Sequence, residues 1–217
     1  MPTPMRIDFV SDVACPWCAV GLASLQQALA RSADAVQAEL HFQPFELNPD
    51  MAPEGEDSGE HLGRKYGSTP AQQAQIRATI AERGAAVGFA FKPDGRGRIV
   101  NTFNAHRLLH WAGLEGAERQ LALKRALMEA YHGRAERVDH DEVLLAAVRA
   151  AGLDEARARQ ILAGDEFADA VRTAERRWQM AGIQSVPAVV INQRHLISGG
   201  QPPEVFEQAL RQIAAGQ

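Results

Sequence analysis

Strand-like patterning in this chain is confined to its two ends. Near the N-terminus, "MRIDFVSDV" gathers Ile7, Phe9 and Val10 into a short apolar run, the pattern of a buried strand. A second run, "VQAELHFQPFELNP", carries Leu40, Phe42 and Phe45. Between them, "WCAVGLASLQQALARS" spaces Val20, Leu22, Leu25 and Leu29 near the helical period. Pro16 opens that helix, in the first turn, where its missing N–H would be unpaired anyway. Strand–helix–strand units close right-handed with parallel strands. Strand signals return only in "PAVVINQRHLISG", where Ala188 to Ile191 and His195 to Ser198 flank a tight turn at Asn192-Gln193. A last helix follows, with Val205, Phe206, Ala209, Leu210 and Ile213 expected inward.

From Glu60 to Ala181 the patterns are helical, with no convincing strand. Thr69 reads as an N-cap ahead of Pro70. Phe103, Arg107, Leu108 and Trp111 share one side of a helix that Gly113 is expected to stop. Leu123, Leu127, Ala130 and Tyr131 mark the next helix, and "DHDEVLLAAVRAAG" and "LDEARARQILAG" are two short ones closed by glycine. Phe167, Val171, Ala174 and Trp178 form a stripe before Gly182. The chain therefore reads as α/β: βαβ, a run of helices, then ββα. Residues 1–56 and 165–217 are expected to form one discontinuous domain, with 57–164 an inserted all-helical domain.

The formal charge of −4 comes from well-mixed acids and bases with no basic run, which argues against the phosphate-neutralising surface of a nucleic-acid binder. No apolar stretch approaches bilayer-spanning length. The opening "MPTPMRIDFVSDVACPWC" lacks the basic-then-apolar order of a signal peptide, so a cytoplasmic location is expected.

Cys15 and Cys18 are the only two cysteines, both in "SDVACPWCAVG". The pair could clip a loop, hold half of a metal site, or do redox chemistry. A clip over so short a loop removes little unfolded-chain entropy and would face a reducing cytosol. A zinc site needs four ligands, or three plus an open position. No second C-x-x-C exists, although His106 and His110 share an i, i+4 spacing that can grip a metal. Haem attachment is excluded because Ala19, not His, follows Cys18. Placement favours redox chemistry. A helix N-terminus carries partial positive charge, which favours a thiolate at Cys15. Cys18, one turn further in, is suited to resolve a mixed disulfide. Far away in sequence, Pro187 reads as the first residue of a strand, a place that does not need its missing N–H. Pattern alone gives no reason for a cis bond there.

C-P-W-C between the first strand and helix, then a helical insertion, then Val186-Pro187 before two strands and a helix, resembles the thioredoxin fold. An all-helical domain inserted after βαβ resembles its DsbA-like branch. "DVACPWCAVG", "NTFNAHRLLHWA" and "SVPAVVINQRHLISGGQPPEVFEQALRQI" look like the FrnE-type dithiol–disulfide oxidoreductases. The resemblance implies a cis Val186-Pro187 bond beside the cysteines, whose backbone pairs with an extended substrate. It also implies that Asn101, Phe103 and His106 overhang the site, with Pro16 and Trp17 shaping the contact surface. The expected activity is thiol–disulfide exchange or isomerisation by Cys15 and Cys18, on protein or peptide thiols and disulfides. No metal or organic cofactor is expected beyond the redox-active disulfide itself, and glutathione could be a substrate or reductant. The state is expected to be a monomer or homodimer. Kappa-class glutathione transferases and hydroxychromene-carboxylate isomerases share the architecture, so a glutathione-dependent isomerase or transferase acting on a small aromatic substrate is the alternative. Those enzymes use serine at the first cysteine position, where this chain has Cys15. A metal-binding module is the remoter alternative.

Overall fold

The computed structural model describes residues 1–216. Strand β1 (Thr3–Ser11) runs inside a four-stranded sheet of order β2-β1-β5-β6. Ile7, Phe9 and Val10 have no exposed surface, as expected of an interior strand covered on both faces. β2 (Val36–Pro44) pairs parallel to it, from Thr3 opposite Val36 to Ser11 opposite Pro44. β5 (Ala188–Ile191) pairs antiparallel on its other side, and β6 (His195–Ser198) pairs antiparallel with β5. Asn192 and Gln193 join those two strands with φ of 51° and 55°. Two successive left-handed residues suit the right-handed twist of a tight hairpin.

Helices α1 (Pro16–Arg31) and α9 (Pro203–Ala215) pack together over one sheet face, where Leu22, Leu25, Phe206 and Leu210 meet Ile7 and Phe9. Val10, Phe45, Ala188 and Val190 face the other way, toward Trp178. In chain order, between β2 and β5, come α2 (Ser58–Tyr66), α3 (Pro70–Ala86), α4 (Phe103–Glu115), α5 (Ala117–Met128), α6 (Asp141–Ala150), α7 (Glu155–Ala163) and α8 (Ala168–Met180), the last of which carries Trp178. Thr69 caps α3 through a reciprocal pair of hydrogen bonds with Gln72. Leu108, Trp111, Leu123, Leu127, Leu144 and Val148 form a core among the helices. This is a thioredoxin fold carrying a helical insertion, the class the sequence implied. Gln120 of α5 ties the two parts together. Its Oε1 accepts from Phe42 N at 3.0 Å and its Nε2 donates to Phe42 O at 3.2 Å, covering part of the open edge of β2.

Four local expectations are corrected. The span expected to be purely helical contains β4 (Arg98–Ile99), which pairs with β3 (Glu56–Asp57). Two residues are too few to show a strand period. Gly113 does not stop α4, which runs on to Glu115 and ends at Gly116, φ 132°. Gly113 serves close packing instead, since a Cβ there would sit 2.7 Å from Gln120 Nε2. The helix bearing Tyr131 does not stay α-helical: α5 passes into a π-helical turn at Glu129–Gly133. Val205 faces outward, 42% exposed, because Phe206 and Leu210 already fill the inner stripe of α9.

Candidate active site

Cys15 is the N-cap of α1, in extended conformation, with Pro16 as the first helical residue. Its side chain makes no capping bond, so the sulfur is left at the positive end of the helix. Cys15 retains 5% of its surface and Cys18 none, and the two lie 3.5 Å apart. Both are free thiols. The Val186–Pro187 peptide bond is cis, and Val186 O accepts from Cys15 Sγ at 3.6 Å. Gly21 lets α1 approach this loop: a Cβ there would lie 3.1 Å from Pro187 Cγ. Gly200 does the same for Trp17, whose carbonyl would be 2.9 Å from an added Cβ.

The two sulfurs differ electrostatically. A hydrogen bond from Cys18 holds the Cys15 thiol below its ordinary value, against the opposing effect of burial. Burial pushes Cys18 well above its ordinary value, and its role as proton donor to Cys15 adds to that. Cys15 is therefore the better thiolate and Cys18 the proton holder.

Asp12, fully buried, organises the turn into Cys15. Its Oδ1 accepts from Ala14 N at 3.1 Å and from the Thr102 hydroxyl at 2.7 Å, while Oδ2 accepts from Leu47 N at 2.7 Å. Burial alone would raise its pKa, but the neighbouring His106 and the two amides bring it below the usual carboxylate value. On the other side of the turn, His132 Nε2 donates to Val13 O at 2.8 Å. Burial drives the His132 pKa down to about 3, so the ring stays neutral. Lys124 shares a face of α5 with Gln120 and Met128, one turn from each. Gln120 bonds to β2 and Met128 packs in the cluster containing both cysteines, and the buried lysine between them lines a small cavity with Phe42, Gln43 and His106. Burial lowers its pKa, with the negative sulfurs and Asp12 opposing.

The residues expected to overhang the pair are distributed differently. Pro16, Trp17 and Val186 are half-buried around Cys15, and Pro187 is buried. Asn101 is half-buried, and its Oδ1 accepts from Phe103 N at 2.8 Å, capping α4 in place of Thr102, whose hydroxyl goes to Asp12. Phe103 carries the Arg172 guanidinium at 3.9 Å from its ring centroid. Arg172 in turn pairs with Glu46 and Glu175. His106 is 2% exposed and 3.4 Å from Asp12 Oδ1, too oblique for a hydrogen bond, so it lies behind the turn rather than along an open groove. His110 lies against Phe167, the rings tilted by 45° with centroids 5.3 Å apart. Among the described residues no group of three or more His, Cys, Asp or Glu could hold a metal ion. Sequence reasoning passed over Asp12, Lys124 and His132. Asp12 carried a usable signal, an acid three residues before Cys15; the other two sit on helical faces that read as ordinary surface.

A profile of the DSBA-like thioredoxin domain matches residues 6–211. The fold superposes on a probable DsbA oxidoreductase from Streptomyces coelicolor with a TM-score of 0.90, at 36% identity, covering 98% of this chain and 91% of that one. Two more distant structures share the fold alone. The cytosolic disulfide reductase DsbM from Pseudomonas aeruginosa, solved with GSH, gives a TM-score of 0.65 at 16% identity, covering 97% of this chain and 99% of that one. A 2-hydroxychromene-2-carboxylate isomerase gives 0.68 at 14% identity, covering 97% of each chain. By the extent of the profile match and the Streptomyces likeness, the chain belongs to the DSBA-like thioredoxin domain family.

Proposed function

We propose that the chain is a thiol–disulfide oxidoreductase or isomerase working through its C-P-W-C tetrapeptide. The observation that carries this reading is the unequal environment of the two sulfurs: Cys15 at a helix N-terminus, receiving a hydrogen bond from Cys18, which is wholly buried behind it. Cys15 thiolate attacks a substrate disulfide and expels one substrate thiolate. Cys18 then gives up its proton and attacks the Cys15 sulfur, releasing the second thiol and leaving the Cys15–Cys18 disulfide. Run in reverse, that disulfide oxidises a substrate dithiol. Trp17, Pro16, Val186 and Pro187 form the surface that meets an extended peptide. In this reading Asn101 and Phe103, at the start of α4, add to the substrate contact, and His106 acts from beneath, beside Asp12. The proposed substrates are protein or peptide thiols and disulfides, with glutathione as a further substrate or reductant. The proposal sets the protein in the cytoplasm, where a reducing thiol pool would recycle it. No described helix is long and apolar enough to cross a membrane.

Insulin reduction and refolding of a scrambled disulfide protein test the reading. Cys15→Ser should lose both activities, and Cys18→Ser should accumulate a mixed disulfide detectable by mass. Full activity in Cys15→Ser would overturn it. Glutathione-dependent turnover of a small aromatic substrate that survives Cys18→Ser would establish the isomerase reading instead.

A further inference from the structure

Arg96 lies in the turn "KPDGRG" between α3 and β4. Gly95 and Gly97 on either side have φ of 78° and 76°, a backbone that L residues rarely adopt. The turn is held in place: Lys92 N donates to His132 O at 2.9 Å and Gly95 N to Lys92 O at 2.9 Å. Just beyond it, Arg98 Nη2 donates to Glu54 O at 2.8 Å and to Gly55 O at 2.9 Å. Asp94, Gly97 and Arg98 around it are exposed, yet Arg96 turns inward and is half-buried. Its guanidinium carbon lies 5.6 Å from the centroid of the buried Tyr131 ring. Tyr131 stacks edge-on against His132 at 4.9 Å, and His132 bonds Val13 O, two residues before Cys15. Through Tyr131 and His132, Arg96 is thereby placed on the cysteine side of the molecule.

What sets Arg96 apart is that no hydrogen-bond acceptor meets it among the described residues. Of the other half-buried arginines, Arg6, Arg137, Arg172 and Arg211 each pair with a carboxylate and Arg83 donates to Gly200 O. Among the described residues no carboxylate pairs with Arg96, and its Nε is fully enclosed without a hydrogen bond. An enclosed donor without an acceptor is costly, and the two Nη groups of Arg96, neither bonded nor fully enclosed, are left to take an acceptor from outside. The planar donors of a guanidinium match a carboxylate. A disulfide attacked by Cys15 brings the groups beside its sulfur into this neighbourhood. Asp12, the buried acid of the site, has its oxygens occupied by Ala14, Leu47 and Thr102.

We propose that Arg96 is a specificity-determining carboxylate receptor on the cysteine side of the molecule, selecting disulfides that carry carboxylates over neutral or cationic ones. The proposal rests on the dithiol-exchange reading. The chemistry is a two-electron exchange: a substrate disulfide is reduced to two thiols while Cys15 and Cys18 lose two protons and two electrons to form their disulfide. The carboxylate takes no part in bond making; it lengthens the residence of the substrate at Cys15.

Single-turnover oxidation of the pre-reduced protein tests this with three disulfides: oxidised glutathione (anionic), hydroxyethyl disulfide (neutral) and cystamine (cationic). In Arg96→Gln the rate with oxidised glutathione should fall roughly tenfold, the loss of one charge-assisted contact. The rate with hydroxyethyl disulfide should change far less, and that with cystamine should not fall. An equal loss on all three would mean that Arg96 acts only by favouring the Cys15 thiolate, and would overturn the proposal, as would no loss on any. A second readout needs no variant: in the wild-type protein, salt should slow the reaction of oxidised glutathione and leave that of hydroxyethyl disulfide unchanged. Equal salt dependence would also overturn it. A wild-type protein that reacts with none of the three would sink the dithiol-exchange reading itself, and this proposal with it.

Discussion

The Thr102 hydroxyl donates a 2.7 Å hydrogen bond to Asp12 Oδ1, joining the start of α4 to the turn that carries Cys15. Both residues are buried, at 3% and 0% exposure, so water does not replace the bond if it is lost. Thr102→Val keeps the shape and removes the donor, leaving Asp12 with its two amides and an oblique His106. The expected cost is about 1–3 kcal/mol, the range for leaving a buried acceptor underpaired. Urea denaturation measures it, and an unchanged midpoint would show that the tie contributes nothing.

The unequal sulfurs should show in alkylation. With iodoacetamide at neutral pH, the reduced protein should be labelled at Cys15 and spared at Cys18. The rate should rise with pH through one titration below the ordinary thiol value of about 8.5. Peptide mapping locates the label. Equal labelling of both cysteines, or a midpoint above the ordinary value, would contradict the assignment of roles.

His132 should make the fold acid-labile. Its pKa is about 3 in the folded protein, whereas a free imidazole titrates near 6.5. Below the free value the unfolded chain takes up a proton that the folded one refuses, so stability falls as pH drops from there toward 3. One group contributes a slope of at most about 1.4 kcal/mol per pH unit. His132→Gln should be less stable than the wild type at neutral pH, having disturbed the bond to Val13, but its stability should fall less steeply with acid. Denaturation midpoints across that range decide it; parallel pH profiles would show that His132 is not the source.

The framework of this fold was legible because each element announces itself locally. Pro16 starts α1, Asn192-Gln193 closes the hairpin, and Ile7, Phe9 and Val10 mark a strand buried on both sides. The cysteines were legible for the same reason, being adjacent in sequence. The supporting shell was not. Thr102 and Asp12 are ninety residues apart, and His132 reaches Val13 across 119. Such contacts depend on how helices pack, which no local period records. His106 shows the converse error: "NTFNAHR" marks a residue near the site, yet its ring is buried, 3.4 Å from Asp12 Oδ1, which the sequence pattern does not record. Gly113 misled in a similar way, since a glycine required by a neighbouring Gln120 looks, in sequence, like a glycine that ends a helix.

Lys124 is an ammonium 1% exposed, between Gln120 and Met128 on a face pressed against β2 and the cysteine cluster. Burial lowers its pKa below the ordinary lysine value of about 10.4. The sign follows. The unfolded chain holds this proton more tightly, so below that ordinary value the folded state pays for keeping the charge, and the penalty shrinks as pH rises toward it. Lys124→Met, of similar length and no charge, should therefore be more stable than the wild type at neutral pH by about 1–3 kcal/mol. The advantage should narrow as the solution becomes alkaline. The same variant removes a positive charge that favours ionised Cys18, so resolution of the mixed disulfide should slow while the first attack by Cys15 is affected less. Chemical denaturation against pH and rapid-mixing measurement of the two steps give both readouts. A variant less stable at every pH, with both steps slowed alike, would show that Lys124 serves packing and not the chemistry of the pair.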